Sequence, residues 1–413
     1  MSPTSEPVAA PSPYLMRHPS FVLFWAARFA ATAAYQMQAV AIGWQVYDLT
    51  HSAFNLGLVG LVQFVPVVLL ALVVGHVADR YDRRLVIRIC QVIEGAAAAV
   101  LALGSAGHWL TTEAIYAVVF VIGSARAFEL PTMHALVPGL VPQSLFTRAV
   151  AGSATANQIA IISGPALGGV LYLAGPAVVY GTCSALFLIA SLFVTLIHLE
   201  RVPTEARKLS LATLLAGFAF IRSRPAILGC ITLDLFAVLL GGATALLPVY
   251  ARDILATGPW GLGLLRAAPA IGALSAFLYL TRHPLERRIG RVMFASVGMF
   301  GLATLVFGIS TSLPLSLAAL AVLGASDSVS VVIRLSLVQT ETPDEMRGRV
   351  SAVNSMFIGT SNTLGEFESG VTAAWFGTVP AVLLGGIGTI LVALICMRVF
   401  PSLARIESFK TMS

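Results

Sequence analysis

Apolar runs long enough to cross a lipid bilayer recur along the whole of this chain, and no other feature constrains its fold as strongly. A helix needs about 20 predominantly apolar residues to span the hydrocarbon layer. Twelve stretches meet that need: residues 20–47, 54–78, 85–106, 112–137, 148–173, 176–199, 225–250, 259–281, 290–310, 313–338, 347–374 and 378–399. Unpaired backbone groups are too costly in lipid for open strands, so each run is expected to be a helix. The expected class is therefore an all-α membrane protein with 12 transmembrane helices. Composition agrees, because only 11% of the 413 residues are charged, whereas a soluble domain carries about 25%. The net charge of +6 does not point to nucleic acid, since the basic residues sit in short loops between apolar runs.

Those loops set an orientation. With the N-terminus in the cytoplasm, 20 of the 25 Lys and Arg residues fall on the cytoplasmic side, as the positive-inside bias requires. Arg252 alone lies clearly outside, while Arg28, Arg126, Arg266 and Arg334 lie within spans. Residues 1–19 are Pro/Ser-rich and lack the basic start and cleavage site of a signal peptide, so they are expected to form a cytoplasmic tail. Two six-span halves, 20–199 and 225–399, flank a basic linker at 200–224, and a second cytoplasmic tail covers 400–413. Within the linker, LSLATLLAGFAFIRSRP is expected to be an amphipathic helix lying on the inner leaflet.

The halves repeat each other. A shift of 203 lays Gly60 on Gly263, Pro66 on Pro269 and Val46-Tyr47 on Val249-Tyr250. A shift of 201 matches Pro142 with Pro343, Arg148 with Arg349, Gly164 with Gly365 and Gly169 with Gly370. Parallel six-helix repeats with a pathway between them are an arrangement that membrane transporters use.

After the second span the chain reads GHVADRYDRR, residues 75–84. This resembles the signature loop of the major facilitator superfamily, Gly-x-x-x-Asp-Arg-x-x-Arg-Arg. The resemblance assigns Gly75, Asp79, Arg80, Arg83 and Arg84 to a latch that holds the halves together in the outward-facing state, with the Asp near the start of the eleventh helix. The equivalent second-half loop, TRHPLERRIGR at 281–291, keeps the basic residues and lacks the Asp. In the fifth span, ISGPALGG places Gly164, Pro165, Gly168 and Gly169 on a small-sided, kinked helix. It resembles the antiporter motif of exporters in that superfamily, with Ala160 where the fuller pattern has a further glycine. Longer stretches, among them THSAFNLGL and QTETPDEMRGRVSAVN, resemble enterobactin-exporter-like proteins and related drug efflux members. The resemblance implies a major facilitator fold and proton-coupled efflux of a small amphipathic solute such as a siderophore, drug or metabolite. Uptake or facilitated transport of a metabolite is the alternative, and the fifth-span motif argues against it.

A charge at the bilayer centre costs at least about 2.5 kcal/mol, so each needs a partner or a wet cavity. The candidates are Arg28, Glu94, Arg126 and Glu129 in the first half, then Asp234, Arg266, Asp327, Arg334, Glu366 and Glu368 in the second. In the superfamily, helices 1, 4, 7 and 10 line the central cavity. Arg126 and Asp327 are equivalent under the 201 shift, so they are expected at similar depth, facing each other across the cavity. Glu129 lies one turn from Arg126 and competes for it. Asp327 is the first candidate for proton coupling, with Glu129 and Asp234 behind it; Arg28, Arg126, Arg334, Glu366 and Glu368 are cavity charges. Glu366 and Glu368 are two residues apart and point in different directions, so at least one is expected to pair with Arg266 or Arg334, or to approach the loop at 75–84. Among the aromatics, Trp25, Tyr35, Trp44, Phe128 and Phe236 are able to stack on a solute.

Enzyme chemistry is not expected. The chain has no nucleophile elbow, no nucleotide loop and no cluster of His, Asp and Glu, and its four cysteines are far apart within apolar runs. No metal or cofactor is implied. The expected partners are a small-molecule substrate, the proton and the lipid bilayer, with no nucleic acid, and the protein is expected to act as a monomer in a bacterial inner membrane with both termini cytoplasmic.

Overall fold

The computed structural model describes residues 15–198 and 211–408; within the second helix, the side chains of Gly75 and Asp79 lie outside the described residues. Six long helices make the first half: α1 Pro19–Thr50, α2 Ala53–Arg80, α3 Arg83–Ala106, α4 Thr112–Leu136, α5 Phe146–Leu171 and α6 Pro176–Thr195. A linker helix, Leu211–Ser223, precedes the second six: α7 Pro225–Leu240, α8 Gly258–Arg282, α9 Ile289–Ile309, α10 Leu313–Glu341, α11 Asp344–Phe376 and α12 Thr378–Val399. No strand occurs among the described residues.

Local chemistry sets the helix ends. Proline occupies the first turn of α1, α6, α7, α8 and α10, where its missing N–H removes no helical hydrogen bond. The turns after α5 and α11 pass through Gly175 at φ 108° and Gly377 at φ 90°, conformations that favour glycine. These two positions are 202 apart, so the structural repeat follows the sequence repeat at a residue where backbone geometry fixes the amino acid.

Ten of the spans are long and apolar enough to cross a membrane by composition alone. The other two long helices, α1 and α11, carry the polar side chains that face the interior, including Arg28, Gln38 and Gln45 on α1 and Asn354, Ser361 and Ser369 on α11, all buried.

The seventh span departs from the continuous helix expected over 225–250. α7 stops at Leu240, and a 3-10 turn at Ala243–Leu246 leads through one α-turn into a π-turn at Tyr250–Ile254. A methyl group on Gly242 would sit 2.4 Å from the carbonyl oxygen of Gly365, so α11 packs directly on the broken backbone. Pro248 in the same stretch has no N–H to continue a helix. The linker helix packs on α11 as well, for a methyl group on Gly217 would meet the Arg349 carbonyl at 2.8 Å. Residues 199–210, the first part of the linker, lie outside the described residues.

Within the first half, α1 packs on α5 and α6, and α3 on α4 and α6; within the second, α10 packs on α8 and α9, and α9 on α12. The halves meet along two helix pairs, α2 with α11 and α5 with α8. Small residues permit both approaches. A methyl on Gly57 would lie 3.0 Å from the Cα of Gly370, and one on Gly169 would lie 2.5 Å from the carbonyl oxygen of Pro259. Gly57 sits near the start of α2 and Gly370 near the end of α11; Gly169 sits near the end of α5 and Pro259 at the start of α8. Both seams therefore close at the same end of the bundle. At that end the Tyr47 hydroxyl donates to the Asp253 carboxylate, and Arg252 pairs with Asp48 at 2.5 Å. Arg252, which the sequence is expected to place outside, is thus a tie between the halves.

Candidate functional site

A cavity of about 210 Å³ lies between the halves. Most of its wall comes from α1 and α2: Tyr35, Gln36, Gln38, Ala39, Ile42 and Gly43, then Leu56, Val59, Gly60 and Gln63. Val119 and Ile122 of α4 close one side, while the second half contributes Ala245, Arg266 and Glu366. The first half thus supplies neutral polar groups, and the second supplies both charges. Gln63 donates to the Tyr35 hydroxyl at 2.8 Å. The Arg126 guanidinium lies 4.4 Å from the centre of the Tyr35 ring, a cation–π contact. Gln38 is 1% exposed, and its amide nitrogen and oxygen both lack a hydrogen-bond partner.

Arg266 and Glu366 reach across to glycines of the other half. A methyl on Gly43 would lie 3.3 Å from a terminal nitrogen of Arg266, and a methyl on Gly60 would lie 2.8 Å from Oε2 of Glu366. Glu366 shares the cavity with Arg266, but no ion pair joins them among the described contacts. Glu368 stays out of the cavity lining and accepts a hydrogen bond from Thr372 at 2.6 Å.

The remaining buried charges form a separate group in each half. In the first, Arg126 pairs with Glu129 at 2.5 Å, and Gln91 donates to the other oxygen of Glu129 at 3.0 Å. Glu94 is fully buried, and neither of its carboxyl oxygens has a partner; Arg28 is 7% exposed with its Nε and one terminal nitrogen unpartnered. In the second half, Arg334 pairs with Asp234. Asp327 and Asp234 line one small void together with Ser326 and Ser330.

This overturns the expected Arg126–Asp327 contact. Arg126 bonds to Glu129 one turn away on its own helix, where the i, i+3 spacing already places a carboxylate within reach. Asp327 faces the seventh span instead.

Arg83 and Arg84 of the loop at 75–84 bond within their own half. Arg83 donates to the Ala135 carbonyl at 2.7 Å and Arg84 to the Ile197 carbonyl at 2.8 Å. Both guanidiniums therefore sit at the C-terminal ends of helices, where orphan carbonyls and the helix dipole favour a cation. Asp82 caps α3 by accepting from the Arg84 backbone N–H at 2.9 Å. Arg84 also bonds to the Asp82 side chain and holds that carboxyl below the usual range. Arg80 is exposed at the end of α2. Asp79, the acidic member expected to reach the eleventh helix, lies with Gly75 outside the described side chains.

Every member of the fifth-span motif is buried. Gly164 admits Ala33 and Gln36 of α1, and Gly168 admits Met37; Gly169 meets α8 across the seam, and so does Pro165, whose carbonyl a methyl on Gly263 would approach to 2.5 Å. Of the five aromatics, only Tyr35 lines the cavity. Trp44 packs on Tyr172, Trp25 stacks on Phe29, Phe128 lines an apolar groove, and Phe236 is exposed. The glutamines Gln36, Gln38 and Gln63 were not anticipated; the signal for them is an amide side chain inside an apolar span, which needs a partner or a cavity just as a charge does. No group of three or more metal-ligating side chains occurs among the described residues.

A family model described as transmembrane secretion effector matches residues 9–412 of the chain. The chain belongs to this family of the major facilitator superfamily. The enterobactin exporter EntS of Citrobacter koseri is 29% identical over 402 residues, covering 95% of this chain and 94% of the relative. Among solved structures, the nucleoside transporter NupG superposes with a TM-score of 0.71 at 16% identity, over 92% of this chain and 99% of that one. A bacterial homolog of the human lysosomal transporter Spinster, inward-facing and occupied, gives 0.72 at 12% identity, over 96% and 98%. This member of the secretion effector family is accordingly a multi-pass membrane transporter of small molecules and not an enzyme.

Proposed function

We propose that the protein exports a small amphipathic solute across a bacterial inner membrane in exchange for protons, by alternating access of the cavity to the two sides. The glycine-lined α5 and the likeness to enterobactin exporters support export. The loop arginines support a cytoplasmic location for both termini. With that orientation the closed seams face the periplasm, and the conformation is inward-facing. The latch function of Gly75, Asp79, Arg80, Arg83 and Arg84 then belongs to the opposite state, in which the cytoplasmic ends of the halves meet.

The observation that carries proton coupling is the placement of two carboxyls and one arginine in the second half. Asp234 holds Arg334 in a buried pair, and Asp327 faces the same void with no ion pair of its own among the described residues. Asp327 and Arg334 are seven residues apart on α10, two turns along one helix face. A small rotation of α10 against α7 exchanges the arginine between carboxyls, and the proton travels on the carboxyl that Arg334 leaves. Asp327 and Asp234 are the coupling pair in this reading; Glu129, already held by Arg126 and Gln91, comes behind them.

Proton movement in inside-out vesicles tests this, with a panel of siderophores, dyes and drugs added to wild type and to Asp327→Asn. The expected result is substrate-triggered proton release from the lumen in wild type and none in the variant. Equal release in both would remove Asp327 from the coupling path.

A further inference from the structure

We infer that the cavity between the halves recognises its solute by an anionic head group bearing hydrogen-bond donors, with Arg266 taking the anion and Gln38 and Glu366 taking the donors. This names the substrate class of the export pathway proposed above and rests on that reading only for the statement that the cavity holds cargo.

The charge balance of the cavity carries the argument. Arg266 stays charged at every physiological pH and has donors but no acceptor. Its Nε is buried without a partner, and none of its other nitrogens makes an ion pair among the described contacts. Leaving a buried cation unpaired is strongly destabilising, so the site favours any solute that brings an anion. Glu366 stands on another helix of the same half and lines the same cavity. A carboxyl accepts a donor when ionised and both donates and accepts when protonated, whereas Arg266 has no second form. Among the lining residues, Arg266 is therefore the one whose charge does not change with pH.

Gln38 is an independent second observation. It is 1% exposed, lines the cavity, and has both ends of its amide unpartnered. Burying an amide unsatisfied is destabilising, and a ligand offering one donor and one acceptor relieves it. A cationic solute meets the opposite situation at Arg266, which repels it and has no acceptor to offer. The volume sets the size of the group that enters. At about 210 Å³ the cavity is smaller than the ~300–1,000 Å³ typical of pockets for whole drug-sized ligands, so this conformation holds a head group, with Ile42, Leu56 and Val59 offering apolar contact to the rest of the solute.

Equilibrium binding to the purified full-length transporter tests the inference with three probes that share one ring and hydroxyl: salicylate, neutral salicylamide and cationic 2-hydroxybenzylamine. Wild type is expected to bind salicylate about tenfold or more tightly than the other two, a difference of roughly 1.4 kcal/mol. Arg266→Gln is expected to abolish that preference, Arg266→Lys to restore part of it, and Gln38→Leu to weaken all three probes alike. The probe ranking in wild type needs no variant, so a misfolded Arg266→Gln leaves the test intact. Preference for the amine, equal binding of all three, or no saturable binding of salicylate would each overturn the inference. None of these outcomes bears on proton exchange, which the vesicle experiment reads; conversely, salicylate selectivity without proton release would remove proton exchange and leave the recognition chemistry standing.

Discussion

Arg126, Glu129 and Gln91 show how one buried charge is made tolerable. The guanidinium takes one carboxylate oxygen, the amide takes the other, and the ring of Tyr35 covers the arginine. Removing one member of a buried pair strands the other, at a cost of about 3–5 kcal/mol, while replacing both by apolar residues is often close to neutral. Glu129→Ala is therefore expected to lower thermal stability in detergent sharply. The double variant Arg126→Leu with Glu129→Leu is expected to recover most of the loss, and strictly additive losses would show that the two residues are not coupled. Outside the membrane, Asp82→Ala removes a helix cap and is expected to cost about 1 kcal/mol. Arg84 depresses the Asp82 carboxyl, so the contribution is present above the ordinary carboxylate range and fades as pH falls through the lower folded value. The side chain is 36% exposed, and solvent screening keeps this pH-dependent part small. Thermal unfolding of wild type and Asp82→Ala at neutral and strongly acidic pH checks it, and the gap between them should narrow in acid.

At the scale of helices, the glycines of α5 decide how the halves meet. A side chain at Gly169 would run into backbone at Pro259 and Gly263, and backbone does not give way as a flexible side chain does. Gly169→Ala is thus expected to loosen the α5–α8 seam and expose the cavity from the closed end. A cysteine placed at Ala39 in the cavity wall would report this, since all four native cysteines are buried; a membrane-impermeant maleimide added from outside should label it several-fold faster in Gly169→Ala. Unchanged labelling would mean that the seam does not depend on this glycine. Helix positions were legible in the sequence because length and apolarity are local properties. The break after Leu240 was missed because hydropathy stays high across it, although Gly241-Gly242 and Pro248 are local signals of it, and α11 packs on Gly242 there. The buried charges could be named but not paired, because symmetry gives equivalent depth without saying which way a side chain turns. Glu129, one turn from Arg126, wins on proximity over a partner in the other half.

At the scale of the whole molecule, alternating access requires that each closed end be held by little, so that the other state stays within reach. The closed end is held by two glycine seams and two polar ties, Tyr47 with Asp253 and Arg252 with Asp48. The Arg252–Asp48 pair is partly solvent-exposed, and such pairs contribute about 0–1 kcal/mol. A hydrogen bond to a charged group contributes about 1.5–3 kcal/mol, so Tyr47 is the stronger tie. Every 1.4 kcal/mol removed from one state shifts the equilibrium about tenfold towards the other. Spin labels on cysteines replacing Ser52 and Thr257, one from each half at this end, would report the two states as two distances. Tyr47→Phe is expected to raise the long-distance population about tenfold and Arg252→Gln about fivefold or less, and the two together by an amount that departs from the product, because the Arg252 guanidinium lies 5.9 Å from the centre of the Tyr47 ring. A single unshifted distance in the double variant would mean that glycine packing alone closes this end and that the polar ties are surplus to it. A shift that salt abolishes for Arg252 but not for Tyr47 would locate the difference in solvent screening of the exposed pair, and would identify Tyr47 as the contact that the cycle must break before the halves can part.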